Sequence, residues 1–134
     1  MKAQANVMKA IVMDIDNTFC EKRDGKEYKD LEPYPEVVEQ MKVYREMGYK
    51  IVLQTARQMN THQGNLGLIN KITVPVLIEW LDKWEIPYDE LHVGKPWCGH
   101  AGFYVDDRAI RPREFVTLTE EEILQRIEDD TWKQ

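Results

Sequence analysis

Cysteine is scarce in this chain, which has only Cys20 and Cys98 among its 134 residues. The two lie far apart in the sequence, and neither a Cys-x-x-Cys pair nor a histidine cluster stands at the spacing of a zinc site. This composition excludes a disulfide-stabilised scaffold and a structural zinc site. We expect both cysteines to be free thiols in a reducing compartment.

Positive charge and long apolar runs are lacking as well. The 18 Lys and Arg residues face 24 Asp and Glu residues, which gives a net charge of −6. This balance argues against nucleic acid or an anionic membrane surface as the main partner, so an anionic substrate would need a metal or a few local basic side chains. No run approaches the roughly 18 apolar residues of a membrane span, and the opening residues lack the core of a signal peptide. We expect a cytoplasmic protein, with homo-oligomer formation left open.

The residues that are present fit one globular domain over residues 1–134. The chain is 43% hydrophobic and has four tryptophans, which is enough for a real core, while its length leaves no room for a substantial second domain. Residues 1–7 precede the first apolar stretch and read as an extension that adds little to the fold. Segments 19–33 and 58–74 are charged, polar or glycine-bearing, and we predict loop insertions there.

Apolar periodicity predicts alternating strands and helices. Helices are expected from Pro35 to Gly48 and from Pro75 to just before Pro87, and a Thr119–Glu122 capping box is expected to begin a last helix. Strands are expected up to Asp14 and at 50–54, 91–93 and 103–105, with a further edge strand at 115–118. The apolar stripes expected to face the core are Val37, Val38, Met41, Tyr44 and Met47 in the first helix, and Val76, Leu77, Trp80, Leu81 and Trp84 in the second.

This order of elements predicts an α/β protein. We expect a three-layer α/β/α Rossmann-like fold with a mainly parallel central sheet and right-handed crossovers, without a separate cap domain. Asp14, Thr55, Lys95 and Asp106 each follow an apolar strand-like run. Since parallel strands end at one edge of the sheet, these four residues are predicted to meet there.

Such a set of side chains suits phosphoryl transfer. Asp14 would attack phosphorus and form an aspartyl-phosphate, while Asp16 would protonate the leaving oxygen and then deprotonate the hydrolytic water. Thr55 and Lys95 would hold the transferring group, and we also assign Asn17 and Ala56 to phosphate binding.

The same edge would gather several carboxylates, namely Asp14, Asp16, Asp106 and Asp107. Crowded carboxylates repel one another and their pKa values rise, so the site requires a compensating cation. Mg2+ suits an all-oxygen site and would keep Asp14 ionised. We therefore predict Mg2+ as the cofactor that compensates these carboxylates, and a protonated Asp16 side chain would stay outside its first coordination shell.

Taken together, these motifs resemble the haloacid dehalogenase (HAD) superfamily of aspartate-nucleophile phosphatases. The resemblance rests on Asp14-Ile15-Asp16-Asn17-Thr18, Thr55, Lys95 and the pair Asp106-Asp107. It implies that Asp14 is nucleophile and metal ligand, and that Asp16 is the acid/base whose backbone carbonyl also touches the metal. Asp106 would be the principal acidic ligand of the last motif, with Asp107 acting directly or through water.

Finer features of the resemblance indicate the branch of the superfamily. An acid at position 16 is similar to the phosphatases and unlike the dehalogenase branch, and Asn17 stands where many members have glycine. Segments 94–100 and 103–112 resemble the small capsule-biosynthesis phosphatases, which implies a small phosphorylated metabolite, such as a sugar phosphate in surface polysaccharide biosynthesis. Without a cap, the site would be covered by the loops at 19–33 and 58–74 or by a neighbouring subunit.

Several polar residues near these motifs remain open to more than one interpretation. Arg57, His62 and Arg108 are candidate substrate contacts, and the alternative for each is an ordinary solvated side chain. Cys98 and His100 could form a nucleophile pair, but we favour structural or substrate-lining roles because a two-residue offset does not establish the hydrogen bond they need.

Two other functions compete with a phosphatase. A receiver domain also uses Asp, Mg2+, Thr and Lys around a parallel sheet, but its adjacent acids follow the first strand, whereas here the Asp-x-Asp comes first and the adjacent acids last. A catalytically weak phosphate-binding or regulatory protein could keep the same fold. Turnover of a phosphate ester distinguishes an enzyme from a binder.

Overall fold

The computed structural model describes residues 9–21, 23–95 and 108–129 of the chain. These belong to two compact units, Met1–Trp97 and Cys98–Gln134. The predicted extension at 1–7, the predicted strand at 103–105, and Cys98, His100, Asp106 and Asp107 lie outside the described residues. In chain order the regular elements are β1 (Ala10–Asp14), α1 (Pro35–Glu46), β2 (Lys50–Gln54), α2 (Leu66–Leu68), α3 (Val74–Lys83), β3 (Glu90–His92), α4 (Pro112–Thr117) and α5 (Glu120–Asp129).

The first unit contains a parallel three-stranded sheet in the order β1-β2-β3. The register pairs Asp14 with Gln54, and Gln54 with His92, so the carboxyl ends of all three strands lie at one edge. The prediction of an α/β protein with parallel strands is confirmed. The third strand lies one residue earlier than the predicted 91–93.

The predicted strand at 50–54 is confirmed; it lies between the other two described strands, and its middle residues are buried. β1 is less buried than its apolar sequence predicts, because it is an outer strand among the three described and Val12 is 61% exposed. None of the helices in the described ranges combines the length and the apolar character needed to span a membrane.

Helix α1 begins as predicted at Pro35, whose fixed φ and missing N–H suit the first turn. Val37, Val38, Met41 and Tyr44 are buried, which confirms most of the predicted stripe. Met47 follows the last helical residue and is exposed, so its assignment to the core was wrong.

The predicted loop at 58–74 is wrong from Leu66 onward. Residues 57–64 form turns, but α2, a π-helical segment (Ile69–Thr73) and α3 then follow one another without a break. Asn65 begins this run, because its side-chain oxygen accepts a hydrogen bond from the N–H of Leu68. The polar composition concealed a buried series at a spacing of four, namely Ile69, Thr73 and Leu77.

Helix α3 packs on the charged loop at 19–33. The indole N–H of Trp80 donates to the carbonyl of Leu31 at 2.8 Å, and the rings of Phe19 and Trp80 lie 6.2 Å apart. Leu77, Trp80 and Leu81 are buried, as predicted. Val76 and Trp84 are substantially exposed, which makes the core prediction wrong for these two residues.

In the second unit, the predicted edge strand at 115–118 is wrong. Residues 112–117 form α4, because Pro112 suits a first turn and the Glu114 carboxylate accepts a hydrogen bond from the N–H of Arg111 at 2.8 Å. The predicted Thr119–Glu122 capping box is confirmed by reciprocal hydrogen bonds of 2.9 and 3.1 Å.

Candidate active site

Asp14 and Lys95 meet at the carboxyl edge of the sheet. The Lys95 ammonium lies 3.8 Å from a carboxylate oxygen of Asp14, which ends β1. Lys95 is brought there by its backbone, whose N–H donates to the carbonyl of Thr55 at 3.2 Å, and the Thr55 N–H donates to the carbonyl of His92. Three residues from three separate chain segments thus come together as the sequence predicts.

The pKa of Asp14 is raised above its usual value of 3.8. Burial is the main cause, since it penalises the charged form, and the negative charge of Asp16 adds to it. The Lys95 charge and hydrogen bonds from the Ile15 backbone and the Thr18 side chain act in the opposite direction without cancelling the rise. The ionised Asp14 is therefore incompletely compensated by the described residues.

Burial of the ionised Asp14 carboxylate destabilises the folded protein. Because the folded-state pKa is raised, the ionised carboxylate opposes folding above that pKa and the opposition vanishes at low pH, where Asp14 is neutral in both states. We expect Asp14→Asn to raise the free energy of unfolding at pH 7 by on the order of 1 kcal/mol, after allowance for solvent screening.

Urea unfolding with a chelator present, at pH 7 and at pH 3.5, measures this gain. The gain in free energy of unfolding should be smaller at pH 3.5 than at pH 7. Asp16→Asn is the comparison variant, and we expect it to destabilise the fold because it removes a charged hydrogen-bond partner of Arg57. A gain for Asp14→Asn that grows as the pH falls would contradict the argument.

Asp16 follows in a tight turn that Asn17 makes possible. The backbone of Asn17 is left-handed, with φ of 62°, a conformation that asparagine tolerates better than most residues. The N–H groups of Thr18 and Phe19 donate to the carbonyl of Ile15, and the Asn17 N–H donates to the carbonyl of Cys20. The turn allows the chain to continue from β1 into the loop at 19–33.

The carboxylate of Asp16 forms an ion pair with Arg57 that the sequence analysis did not predict. Arg57 Nη2 donates to one Asp16 oxygen at 2.7 Å, and Nε donates to the other at 3.2 Å. The Arg57 side chain is 1% exposed, whereas that of Asp16 is 32% exposed. The guanidinium also lies 4.3 Å from the centre of the Tyr28 ring.

Cys20 is a further neighbour of Asp16. Its thiol lies 3.7 Å from an Asp16 oxygen and 3.4 Å from the carbonyl of Glu21. Burial first, and then the nearby charge of Asp16, raise the pKa of this thiol to about 12. Cys20 is therefore a protonated thiol at neutral pH and an unsuitable nucleophile.

The residues assigned to phosphate differ in their surroundings. Thr55 is buried, and its hydroxyl accepts a hydrogen bond from the backbone N–H of Arg57 at 2.9 Å. Ala56 is half-buried in the same connection after β2, whereas Asn17 is exposed. All three belong to the segments that follow β1 and β2.

Two of the three candidate substrate contacts, Arg57 and His62, are not ordinary solvated side chains. Arg57 is buried against Asp16, and His62 is half-buried with a ring nitrogen, Nε2, that lacks a hydrogen-bond partner in the described part of the chain. Arg108 is exposed and belongs to the other unit.

A cavity of about 290 Å3 lies beside Arg57. Its walls combine aliphatic, aromatic and charged side chains, which are Glu27, Tyr28, Lys29, Arg57, Gln58, Ile72, Thr73 and Val76. The loop at 19–33 and the helical run after Asn65 both contribute to it. The cavity therefore shares Arg57 with the Asp16 ion pair.

The sequence matches no model of a known protein family and no curated protein. It is similar to a crystal structure from Vibrio cholerae that is described only as a structural-genomics target. The two chains are 48% identical, the match covers 92% of this chain and 100% of that chain, and the TM-score is 0.89.

The chain belongs to the same family as that Vibrio cholerae protein. At this similarity the two share the α/β fold and the arrangement of its elements.

Two of the four residues predicted to hold Mg2+ lie in the described part of the chain. Within 9–21, 23–95 and 108–129, no group of three or more His, Cys, Asp or Glu side chains is arranged to hold a metal ion. Asp14 and Asp16 are the described members of the set, while Asp106 and Asp107 lie outside it. The incompletely compensated charge of Asp14, with the Asp16 carboxylate nearby, fits a hard divalent cation.

Gly94, next to Lys95, is a position that sequence reasoning missed. Its φ is +84°, and a Cβ placed there would collide with a methyl group of Leu66. We expect Gly94→Ala to lower the free energy of unfolding by about 1–2 kcal/mol in urea titrations, mostly from backbone strain, because Leu66 is 49% exposed and its side chain can rotate away at a small cost.

Gly25→Ala is the matched control, because Gly25 has nearly the same φ of +86° with nothing within 4 Å of a built Cβ. Gly25→Ala should lower the free energy of unfolding only through backbone strain, by about 1 kcal/mol. Equal losses for the two variants would show that the contact with Leu66 contributes nothing.

Proposed function

We propose that this chain is a Mg2+-dependent phosphomonoester hydrolase that acts through an aspartyl-phosphate on Asp14. The observation that carries the proposal is the approach of the Lys95 ammonium to within 3.8 Å of Asp14 at the carboxyl edge of a parallel sheet, beside Asp16 and Thr55. Open α/β sheets bind their ligands at this edge. The proposal includes membership of the HAD superfamily, its three-layer α/β/α Rossmann-like fold without a cap, and a cytoplasmic location.

In the first step, a carboxylate oxygen of Asp14 attacks phosphorus as the bond to the leaving oxygen breaks, and Asp16 gives its proton to that oxygen. In the second step, Asp16 takes a proton from a water molecule that attacks the phosphorus of the aspartyl-phosphate. Phosphate is released and Asp14 is regenerated. Lys95 and Thr55, with Asn17 and Ala56, hold the transferring group throughout.

Four residues would hold the Mg2+ ion: the carboxylate of Asp14, the backbone carbonyl of Asp16, and Asp106 with Asp107. The raised pKa of Asp14 supports this assignment, since its burial and the charge of Asp16 outweigh the opposing effect of Lys95. When bound, the ion supplies positive charge that favours the ionised nucleophile and offsets the charge of the phosphate oxygens.

The substrate is proposed to be a small phosphorylated metabolite, such as a sugar phosphate used in surface polysaccharide biosynthesis. The cavity beside Arg57 supports a small molecule, because its volume of about 290 Å3 is near the lower end of ligand pockets. Tyr28, Ile72 and Val76 offer apolar surface there, and Gln58 and Thr73 offer polar groups. His62 and Arg108 remain the candidate substrate contacts.

A screen for phosphate release tests the proposed function. Purified protein is offered sugar phosphates, nucleotides and an aryl phosphate, with Mg2+ or with a chelator. We expect release that requires Mg2+ and that is strongest for one class of small phosphate ester. No release from any substrate would favour the alternative of a phosphate-binding or receiver-like regulatory protein, and release unaffected by chelation would contradict the metal assignment.

A further inference from the structure

We propose that Arg57 is a positioning residue that fixes the carboxylate of Asp16 for proton transfer, and that Tyr28 in turn fixes Arg57. This inference rests on the proposed function, which assigns the proton transfers to Asp16. It replaces the earlier interpretation of Arg57 as a substrate contact.

The ion pair between Arg57 and Asp16 has the geometry of a positioning contact. Two separate nitrogens of the guanidinium donate to the two separate oxygens of the carboxylate, at 2.7 and 3.2 Å. A pair of nearly parallel hydrogen bonds fixes the rotation of a carboxylate as well as its position. An acid/base group depends on such alignment, because a displacement of about 1 Å can cost roughly 100-fold in rate. Each Asp16 oxygen that accepts a guanidinium N–H keeps a second lone pair, and one of these positions carries the proton that Asp16 gives up in the first step and takes back from water in the second.

Arg57 is itself immobilised from several directions. Its side chain is 1% exposed, and its guanidinium packs 4.3 Å from the centre of the Tyr28 ring. Its backbone N–H donates to the hydroxyl of Thr55 at 2.9 Å, which ties Arg57 to the end of β2. The orientation of Asp16 is thus set jointly by the sheet and by the loop that carries Tyr28.

The surroundings of this ion pair are unfavourable for the stability of the fold. Arg57 Nη1 is buried, and it has no hydrogen-bond partner among the residues that the structure describes. A buried guanidinium with an unsatisfied nitrogen carries a desolvation cost that an apolar side chain would avoid. An arrangement that fixes Asp16 so well at such a cost is better explained by chemistry than by folding.

The leaving group of the substrate provides the test. A poor leaving group needs a proton from the general acid, whereas a good one needs little help. We therefore compare Arg57→Ala with the parent on phenyl phosphate and on para-nitrophenyl phosphate, whose leaving oxygen is far less basic. We expect kcat to fall roughly 100-fold on phenyl phosphate and less than about 10-fold on para-nitrophenyl phosphate, with little change in KM.

Two further variants separate positioning from folding. Arg23→Ala is the matched control, because the Arg23 guanidinium also lies 4.4 Å from the centre of the Tyr28 ring but is exposed and bonds to the carbonyl of Lys26. It should leave both rates unchanged. Tyr28→Leu keeps Arg57 and Asp16 and should show a weaker loss with the same dependence on the leaving group, which keeps the test available if Arg57→Ala does not fold.

A double-variant cycle shows whether Arg57 acts through Asp16. Asp16→Asn should show the same leaving-group dependence, and adding Arg57→Ala to it should lower kcat by less than about 3-fold further. A loss in Arg57→Ala that is equal on both substrates, that appears mainly in KM, or that multiplies with the Asp16→Asn loss would overturn this inference alone. Absence of Mg2+-dependent phosphate release by the parent would instead overturn the proposed function, and the inference with it.

Discussion

Replacement of Asp14 with asparagine is expected to lower kcat/KM for phosphate release by a factor of roughly 10⁴ or more. The amide has nearly the same shape as the carboxylate, but it cannot form the aspartyl-phosphate and it carries no negative charge for a divalent ion. Because both proposed steps pass through Asp14, no other described side chain can take its place. Initial rates with saturating Mg2+ and an aryl phosphate measure the effect.

Asp24→Asn is the control for this experiment, because it makes the same chemical change at an exposed turn with a positive φ of 39° that asparagine also tolerates. Its rate should match that of the parent. Asp14→Asn should also remain folded, since removal of the buried charge relieves a cost to the fold. Turnover by a folded Asp14→Asn protein within about 10-fold of the parent would exclude Asp14 as the nucleophile.

Replacement of Lys95 with alanine is expected to lower kcat/KM by roughly 10²–10³. The Lys95 side chain is 18% exposed and its ammonium lies 3.8 Å from Asp14, so it would lie beside the transferring phosphoryl group as negative charge builds up there. The same change removes the charge that opposes the rise in the pKa of Asp14. We therefore expect the pH–rate profile to lose activity at its acidic limb as well as in its maximum.

Lys95→Arg and Lys26→Ala test whether the loss in Lys95→Ala comes from a contact with the phosphoryl group. The arginine keeps a positive charge with a different shape and should recover part of the rate. Lys26 is an exposed lysine whose ion pair with Glu21 lies in the loop at 19–33, and its removal should leave kcat/KM unchanged. Equal losses for Lys95→Ala and Lys26→Ala would indicate a general charge effect in place of a contact with phosphate.

The part of the site that the sequence predicts is the part fixed by strand ends. Asp14, Thr55 and Lys95 follow apolar runs, and a parallel sheet leaves such residues at one edge whatever the connections between strands are. Their hydrogen bonds and the 3.8 Å contact agree with that expectation. Asp106 and Asp107 rest on the same logic and stay predictions.

The partners of Asp16 could not be predicted in the same way. Arg57 reaches Asp16 from the connection after β2, and Tyr28 reaches Arg57 from a turn within a charged loop. Such contacts depend on the path of loops and on side-chain rotamers, which have no periodicity in the sequence. The position of Arg57 two residues after Thr55 was the available signal, because it placed the guanidinium near the same edge.

Two errors in secondary structure have identifiable causes. Residues 66–73 follow a polar, glycine-bearing stretch and contain Gly67, yet they are helical because Asn65 caps the run and Ile69 packs into the core. Residues 115–118 look like a short apolar strand, yet the Pro112 start and the Glu114 contact to the Arg111 N–H favour a helix. In both cases a hydrogen bond at the helix start outweighed local composition.

The most direct measurement is the intact mass of the protein quenched in acid during turnover of a phosphate ester with Mg2+ present. We predict a fraction of the protein that carries the mass of one phosphoryl group, mapped to Asp14 in a peptide digest and absent from Asp14→Asn. Rapid phosphate release by the parent without any phosphorylated Asp14, or with the phosphoryl group on another residue, would contradict the proposed mechanism.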